Sequence, residues 1–155
     1  PEDDVPLIMI CPGTGLSPCR SLVQERHRRP GSASRGFRDM MFLGFRNHEK
    51  DFLFGEEWGA YSEWLDVHVA FSRDATSNAT PYVQHKLEEH GRAVGELVLK
   101  GARIYVCGRA HPMPAQVFDA LVKCLCTQDG FTEEGATQHL LKMQRSSTYI
   151  NDTWG

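Results

Sequence analysis

The sequence lacks any apolar run approaching the roughly 20 residues that cross a membrane as a helix, and its opening Pro1-Glu2-Asp3-Asp4 lacks the basic-then-apolar layout of a secretory signal. A soluble domain with no membrane segment is expected. It lacks an excess of either charge: 17 Lys and Arg against 20 Asp and Glu leave a formal charge of -3. That balance argues against wholesale nucleic-acid binding and leaves only local anion sites. An even, regularly spaced cysteine set is also missing. Cys11, Cys19, Cys107, Cys124 and Cys126 are odd in number and irregular in spacing, which argues against a disulfide framework and for a reducing, cytoplasmic setting. Metal-ligand spacing is absent too. His85 and His90 are five apart and share no helical face as i, i+4 ligands do, and Cys124 and Cys126, two apart, diverge on a helix; no metal is expected. There is no internal repeat or long low-complexity tract. Glu88-Glu89 and Glu133-Glu134 read as solvated helix faces.

What is present is the composition of one globular core: 155 residues, 41% hydrophobic and 24% charged. The first residue is not methionine and an apolar run begins at Leu7, so a segment of a longer chain is expected. Leu7 to Cys11, Met40 to Phe45, Val67 to Phe71 and Ile104 to Cys107 are short continuous apolar runs, as in strands buried on both faces. Between and after them lie helical spacings at Leu16 to His27, Glu56 to Leu65, Val83 to Leu99 with a break at Gly91, Pro114 to Thr127, and Glu133 to Met143. Strands alternating with helices of this length specify βαβ units. The expectation is an α/β, three-layer Rossmann-like fold with a parallel sheet of about five strands. Arg28 to Arg38 and Asp74 to Pro81 have loop composition.

Three strand ends carry chemistry. The first runs into Cys11-Pro12-Gly13-Thr14-Gly15-Leu16-Ser17-Pro18, a glycine-rich turn opening a helix. In open α/β sheets such a turn offers backbone N–H groups and a helix N-terminus to a diphosphate. Pro18 stands where the dinucleotide fingerprint has its third glycine, so a bare strand-to-helix turn fits these residues equally well. The second strand ends Phe45-Arg46-Asn47, a cation where an NAD site would place an acid; read alone, Arg46 is either a solvated surface residue or a phosphate partner. The third ends Ser72-Arg73, followed by Tyr82-Val83-Gln84. A hydroxyl and a guanidinium can clamp a phosphate while a tyrosine ring stacks on adenine. A capping serine and a packed tyrosine are the plain alternative.

Taken in order, Pro12-Gly13-Thr14-Gly15 with Pro18 and Arg20, Gln24-Glu25-Arg26, Phe42 to Arg46, Ala70 to Arg73, Tyr82 to Leu87, Tyr105 to Gly108 and Asp152-Thr153-Trp154 closely resemble the NADP(H)-binding C-terminal domain of the ferredoxin-NADP reductase superfamily, in its diflavin branch. Met113-Pro114 and the Asp152-Thr153-Trp154 ending are most similar to the soluble NADPH-dependent diflavin oxidoreductases; cytochrome P450 reductases and sulfite reductase flavoproteins are the near alternatives. The resemblance implies an NADP(H)-binding domain over residues 1–155, with FMN and FAD domains upstream. It further implies hydride transfer from NADPH to FAD, then electron passage through FMN to an iron-sulfur protein of anamorsin type in cytosolic iron-sulfur assembly. Alone, such a segment would bind coenzyme without turning over. A retained nucleotide-binding module without catalysis is the reading from a different class.

The resemblance also implies roles. Gly13, Thr14 and Gly15 would meet the pyrophosphate with Arg46 nearby, Ser72 and Arg73 would hold the 2'-phosphate, and Tyr82 and Gln84 would complete the adenosine pocket. Cys107, Asp152 and Trp154 would form the hydride-transfer site. Three positions depart from the family pattern: Thr80 replaces a lysine, Arg109 an acid, and Gln116 the aspartate that meets the nicotinamide-side ribose.

Overall fold

The computed structural model describes residues 5–46, 55–73 and 82–155. Five strands, β1 (Leu7–Pro12), β2 (Asp39–Phe45), β3 (Leu65–Phe71), β4 (Arg103–Arg109) and β5 (Tyr149–Trp154), form one sheet in the order β3-β2-β1-β4-β5. Every neighbouring pair is parallel, with Ile10 opposite Phe42 and Val106, and Cys107 opposite Asp152. The helices are α1 (Leu16–Arg28), α2 (Val83–Glu89), α3 (Gly91–Leu99), α4 (Met113–Cys126) and α5 (Glu133–Arg145). Thr132 opens α5 by accepting from Gly135 N at 3.1 Å, with Glu133 and Glu134 in the first turn and Lys142 and Arg145 in the last, the arrangement the helix dipole favours.

The strand pleat sorts the core into two layers. Ile8, Ile10, Met40, Phe42, Ile104 and Val106 point to one side, where Leu87, Val94, Leu121, Leu125 and Leu140 of α2 to α5 pack on them. Met9, Cys11, Met41, Leu43 and Cys107 point to the other, against Leu16, Cys19 and Val23 of α1 and against Trp58, Tyr61 and Trp64. This is the expected three-layer α/β arrangement. The helical segment expected over 83–99 does break where anticipated, with His90 closing α2 and opening α3.

Two expectations are corrected, and one strand lies where the sequence carried no mark. Glu56 to Leu65 is not an α-helix: only Glu57–Tyr61 is helical, in a 3-10 turn, and β3 already begins at Leu65. The buried Trp58, Tyr61 and Trp64 recur every third residue, the period of a 3-10 turn. The sheet's fifth strand, Tyr149–Trp154, is an edge strand of which only Tyr149 is deeply buried. Second, Cys11 and Cys19 are joined in a disulfide, their Cα atoms 6.6 Å apart. The turn between β1 and α1 is tight enough to bring both side chains into one buried spot. Cys107, Cys124 and Cys126 are free thiols.

At the opposite end of the sheet, Asp39 is fully buried. It accepts from Leu7 N at 2.9 Å and pairs with Arg26 at 2.7 Å and Arg35 at 3.5 Å, tying α1 and the following loop to the first two strands. Burial outweighs these partners and raises its pKa.

Candidate functional site

The strand order reverses direction between β1 and β4, and the crevice outside the carboxyl ends of the strands at such a point is where open α/β sheets take ligands. Here that crevice is a groove of about 810 Å³. Its floor is Pro12 and Gly13 from β1 and its turn, with Gly44, Phe45 and Arg46 from β2; Ser72 follows β3. The walls are Tyr82, Val83 and Gln84 at the start of α2, and Arg109, His111, Met113 and Gln116 between β4 and α4.

Two glycines shape the turn. Gly13 sits at φ +58°, a left-handed conformation in which side chains other than glycine's are strained. Gly15 lies so close to β4 that a Cβ there would meet Cys107 O at 1.9 Å and Cys107 C at 2.6 Å. Gly13–Gly15 forms a 3-10 turn that leads directly into α1. Thr14 lies within this turn.

Past the strand ends, backbone bonds continue the β2–β3 pairing. Ser72 N donates to Phe45 O at 2.9 Å and Arg73 N to Arg46 O at 2.7 Å. Arg46 therefore comes opposite Ser72 just past the strand ends, both lining the groove, and Arg73 follows with its backbone bonded to Arg46. Across the groove, Tyr82 caps α2 and its ring is about half exposed, available for stacking. Gln84 Nε2 donates to Gln116 Oε1 at 3.1 Å, joining the starts of α2 and α4 over the groove. Thr80 lies outside the described residues. Arg109 and His111 line the groove, yet in the sequence Arg109 stood only as a departure and His111 carried no signal. The position of Arg109 at the carboxyl end of β4 was the clue that could have found it.

Cys107, Asp152 and Trp154 form a separate group and do not line this groove. Cys107 and Asp152 face each other across the β4–β5 ladder and Arg109 faces Trp154. Cys107 is buried, Asp152 is exposed, and the Trp154 indole is 41% exposed. Tyr105, two residues before Cys107 on the same face, donates from its hydroxyl to Asp152 Oδ2 at 2.6 Å. Burial and, secondarily, the Asp152 carboxylate push the Cys107 thiol above its ordinary pKa, partly offset by the nearby Tyr105 hydroxyl. Burial and the bond to Asp152 likewise hold the Tyr105 phenol protonated well beyond the usual range. The group therefore presents a neutral thiol and a neutral phenol around a carboxylate. It can stabilise positive charge at the sheet edge, but Cys107 and Tyr105 are poor bases.

Among the described residues no group of three or more His, Cys, Asp and Glu could hold a metal ion. No helix there is long and apolar enough to cross a membrane.

Residues 9–118 match the family model of the oxidoreductase NAD-binding domain. Over 99% of its length the chain is 36% identical to the NADPH sulfite reductase flavoprotein alpha-component of Photobacterium profundum, covering 25% of that protein. It is 35% identical to NADPH-dependent diflavin oxidoreductase 1 of Xenopus laevis, over 99% of the chain and 25% of the relative. It is 36% identical to the NADPH–cytochrome P450 reductase of Aspergillus fumigatus, over 96% of the chain and 22% of the relative. The chain thus spans about a quarter of the length of these relatives. With the family model running from β1 into α4, across the whole groove, the chain belongs to the oxidoreductase NAD-binding domain family, and the relatives it resembles are diflavin reductases.

Proposed function

We propose that this chain is the NADP(H)-binding domain of a diflavin reductase, holding NADPH so that its hydride passes to FAD. The observation that carries this reading is that Arg46 and Ser72 line the switch-point groove together with the half-exposed Tyr82, with Arg73 next in sequence and bonded through its backbone to Arg46. A guanidinium and a hydroxyl beside an aromatic residue, with a second arginine next in sequence, match a phosphorylated adenosine, and charge-assisted bonds to a phosphate contribute about 1.5 to 3 kcal/mol each. The residues fit the coenzyme. Gly13, in the groove with open space where a side chain would be, leaves room for a diphosphate at the start of α1, where Thr14 and Gly15 would join it, and Arg46 and Arg109 supply cations along the groove. Gln116, bridged to Gln84, would meet the nicotinamide-side ribose.

When bound, NADPH and FAD supply the hydride donor and acceptor. The chain's residues orient them and favour the positive charge that develops on the nicotinamide. Asp152 provides the negative charge, Cys107 a neutral polar contact, and the exposed Trp154 indole a movable cover for the flavin ring. We place the chain with the soluble NADPH-dependent diflavin oxidoreductases on Met113-Pro114 and Asp152-Thr153-Trp154. Its FAD and FMN domains are upstream in the same chain, its acceptor is an anamorsin-type iron-sulfur protein, and its setting is cytoplasmic. Calorimetry with 2',5'-ADP and 5'-AMP tests the coenzyme assignment. The 2'-phosphate should tighten binding at least tenfold, and equal weak binding of the two would reject the assignment in favour of a general nucleotide module.

A further inference from the structure

We propose that Tyr105 is a positioning residue for hydride transfer, its phenol holding the Asp152 carboxylate in the direction it needs beside Cys107. The inference rests on the hydride-transfer reading above. Asp152 sits on an edge strand with its side chain exposed, and an exposed carboxylate on a strand rim ordinarily samples several rotamers. This one does not hang free: Tyr105 donates to its Oδ2 at 2.6 Å, a short charge-assisted bond. The geometry follows from the ladder. Cys107 and Asp152 are partners across β4 and β5, and Tyr105, two residues earlier on β4, shares their face. The carboxylate is therefore drawn back along β4, one oxygen bound to the phenol and the other left available, with the Cys107 thiol next to both.

The same contact explains why a tyrosine stands there. Tyr105 is half-buried against the α1-side core, so its ring is fixed by packing and its hydroxyl delivers a bond whose direction does not wander. Phenylalanine would pack as well and orient nothing. Tyr105 gives up no proton in this role. Hydride transfer moves two electrons and one proton together from the dihydronicotinamide to the flavin, and burial together with the Asp152 bond keeps the phenol protonated throughout. Its contribution is to place a negative charge where positive charge develops.

The test uses the intact flavoprotein and the variants Tyr105→Phe, Asp152→Asn and their combination. In rapid-mixing experiments with NADPH, Tyr105→Phe should slow flavin reduction about tenfold with little change in the NADPH concentration for half-maximal rate, as expected for losing one hydrogen bond to a charged group. Asp152→Asn should slow it at least as much, and the double variant should be no slower than Asp152→Asn alone. Slowdowns that multiply, or a Tyr105→Phe enzyme with the parental rate, would overturn the proposal. A readout independent of turnover is the crystal structure of Tyr105→Phe without coenzyme: the Asp152 carboxylate should leave its position over β4, and a carboxylate found unmoved counts against the role. Binding of 2',5'-ADP to the parental protein reports on the coenzyme assignment alone. Its failure would reject that assignment while the Tyr105→Phe crystal structure still decided whether the phenol sets the carboxylate.

Discussion

Gly15→Ala is expected to be far more damaging than Gly13→Ala, although Gly13 has the unusual backbone. At Gly13, φ +58° penalises any side chain, but nothing lies within 4 Å of the added methyl; the cost is the left-handed strain alone, about 1 to 2 kcal/mol. At Gly15 the added Cβ would lie 1.9 Å from Cys107 O and 2.6 Å from Cys107 C, both backbone atoms of a central strand, where ordinary contact begins at 3.4 Å. The turn must retreat from β4 by more than 1 Å. Backbone atoms cannot rotate aside as a flexible side chain can. Overpacking of this kind costs about 3 kcal/mol or more, a fall in Tm of roughly 6 to 12 °C for a domain of this size. Thermal unfolding of the two variants beside the parent measures both. The retreat also moves the backbone that would receive the diphosphate, so the surviving Gly15→Ala fold should bind 2',5'-ADP more weakly. If Gly15→Ala melts within about 2 °C of the parent, or above Gly13→Ala, the close approach of turn and strand is wrong and with it the shape of the groove.

Arg73→Ala should weaken binding of NADPH by about 1.5 to 3 kcal/mol and leave NADH nearly unaffected, since the guanidinium is assigned to the extra phosphate; calorimetry with both coenzymes checks it, and an equal loss for both would contradict the assignment. In the full-length protein, Trp154→Ala should raise the use of NADH relative to NADPH in steady-state assays; an unchanged ratio removes the indole's gating role. Asp39→Asn should destabilise the chain by about 3 to 5 kcal/mol, because Arg26 and Arg35 would lose the buried charge that pairs them; urea unfolding that differs by less than 1 kcal/mol would argue against it. His68, stacked on His90 at 3.8 Å and tilted against Phe42 at 5.0 Å, has its pKa depressed to about 4, first by burial and then by His90. Asp66 and Glu89 partly counter this and Lys86 adds to it. The fold therefore needs the neutral ring: this contribution is complete above pH 6.5 and is lost as pH falls toward 4, where only the unfolded chain takes up the proton. His68→Phe should flatten the stability profile between pH 6.5 and 4 in urea titrations.

The central strands were legible because burial on both faces leaves an unbroken apolar run, as in Leu7 to Cys11 and Met40 to Phe45. The edge strand Tyr149–Trp154 had no such mark. Its Asn151 and Asp152 are poor strand formers, and only pairing with β4 makes it a strand. The stretch around Trp58, Tyr61 and Trp64 misled in the other direction: aromatic residues three apart fit an amphipathic helix on paper, and the early start of β3 at Leu65 leaves room only for a short turn. In the site, residues that follow a strand closely, such as Gly13, Arg46 and Ser72, could be placed from the chain itself. Contacts between positions far apart in sequence could not: Gln84 with Gln116, and Tyr105 with Asp152, exist only once α4 and β5 have taken their places.

Because the strand order sets β1, β2 and β3 on one side of the reversal and β4 and β5 on the other, the positions that would hold the extra phosphate and those that would use the hydride belong to opposite wings of one sheet. A lineage could rewrite Arg46, Ser72 and Arg73 to accept another dinucleotide and leave Cys107, Asp152 and Trp154 untouched. On that assignment the phosphate-binding positions could change without rebuilding the β4–β5 edge, while Trp154 alone would touch both preference and transfer.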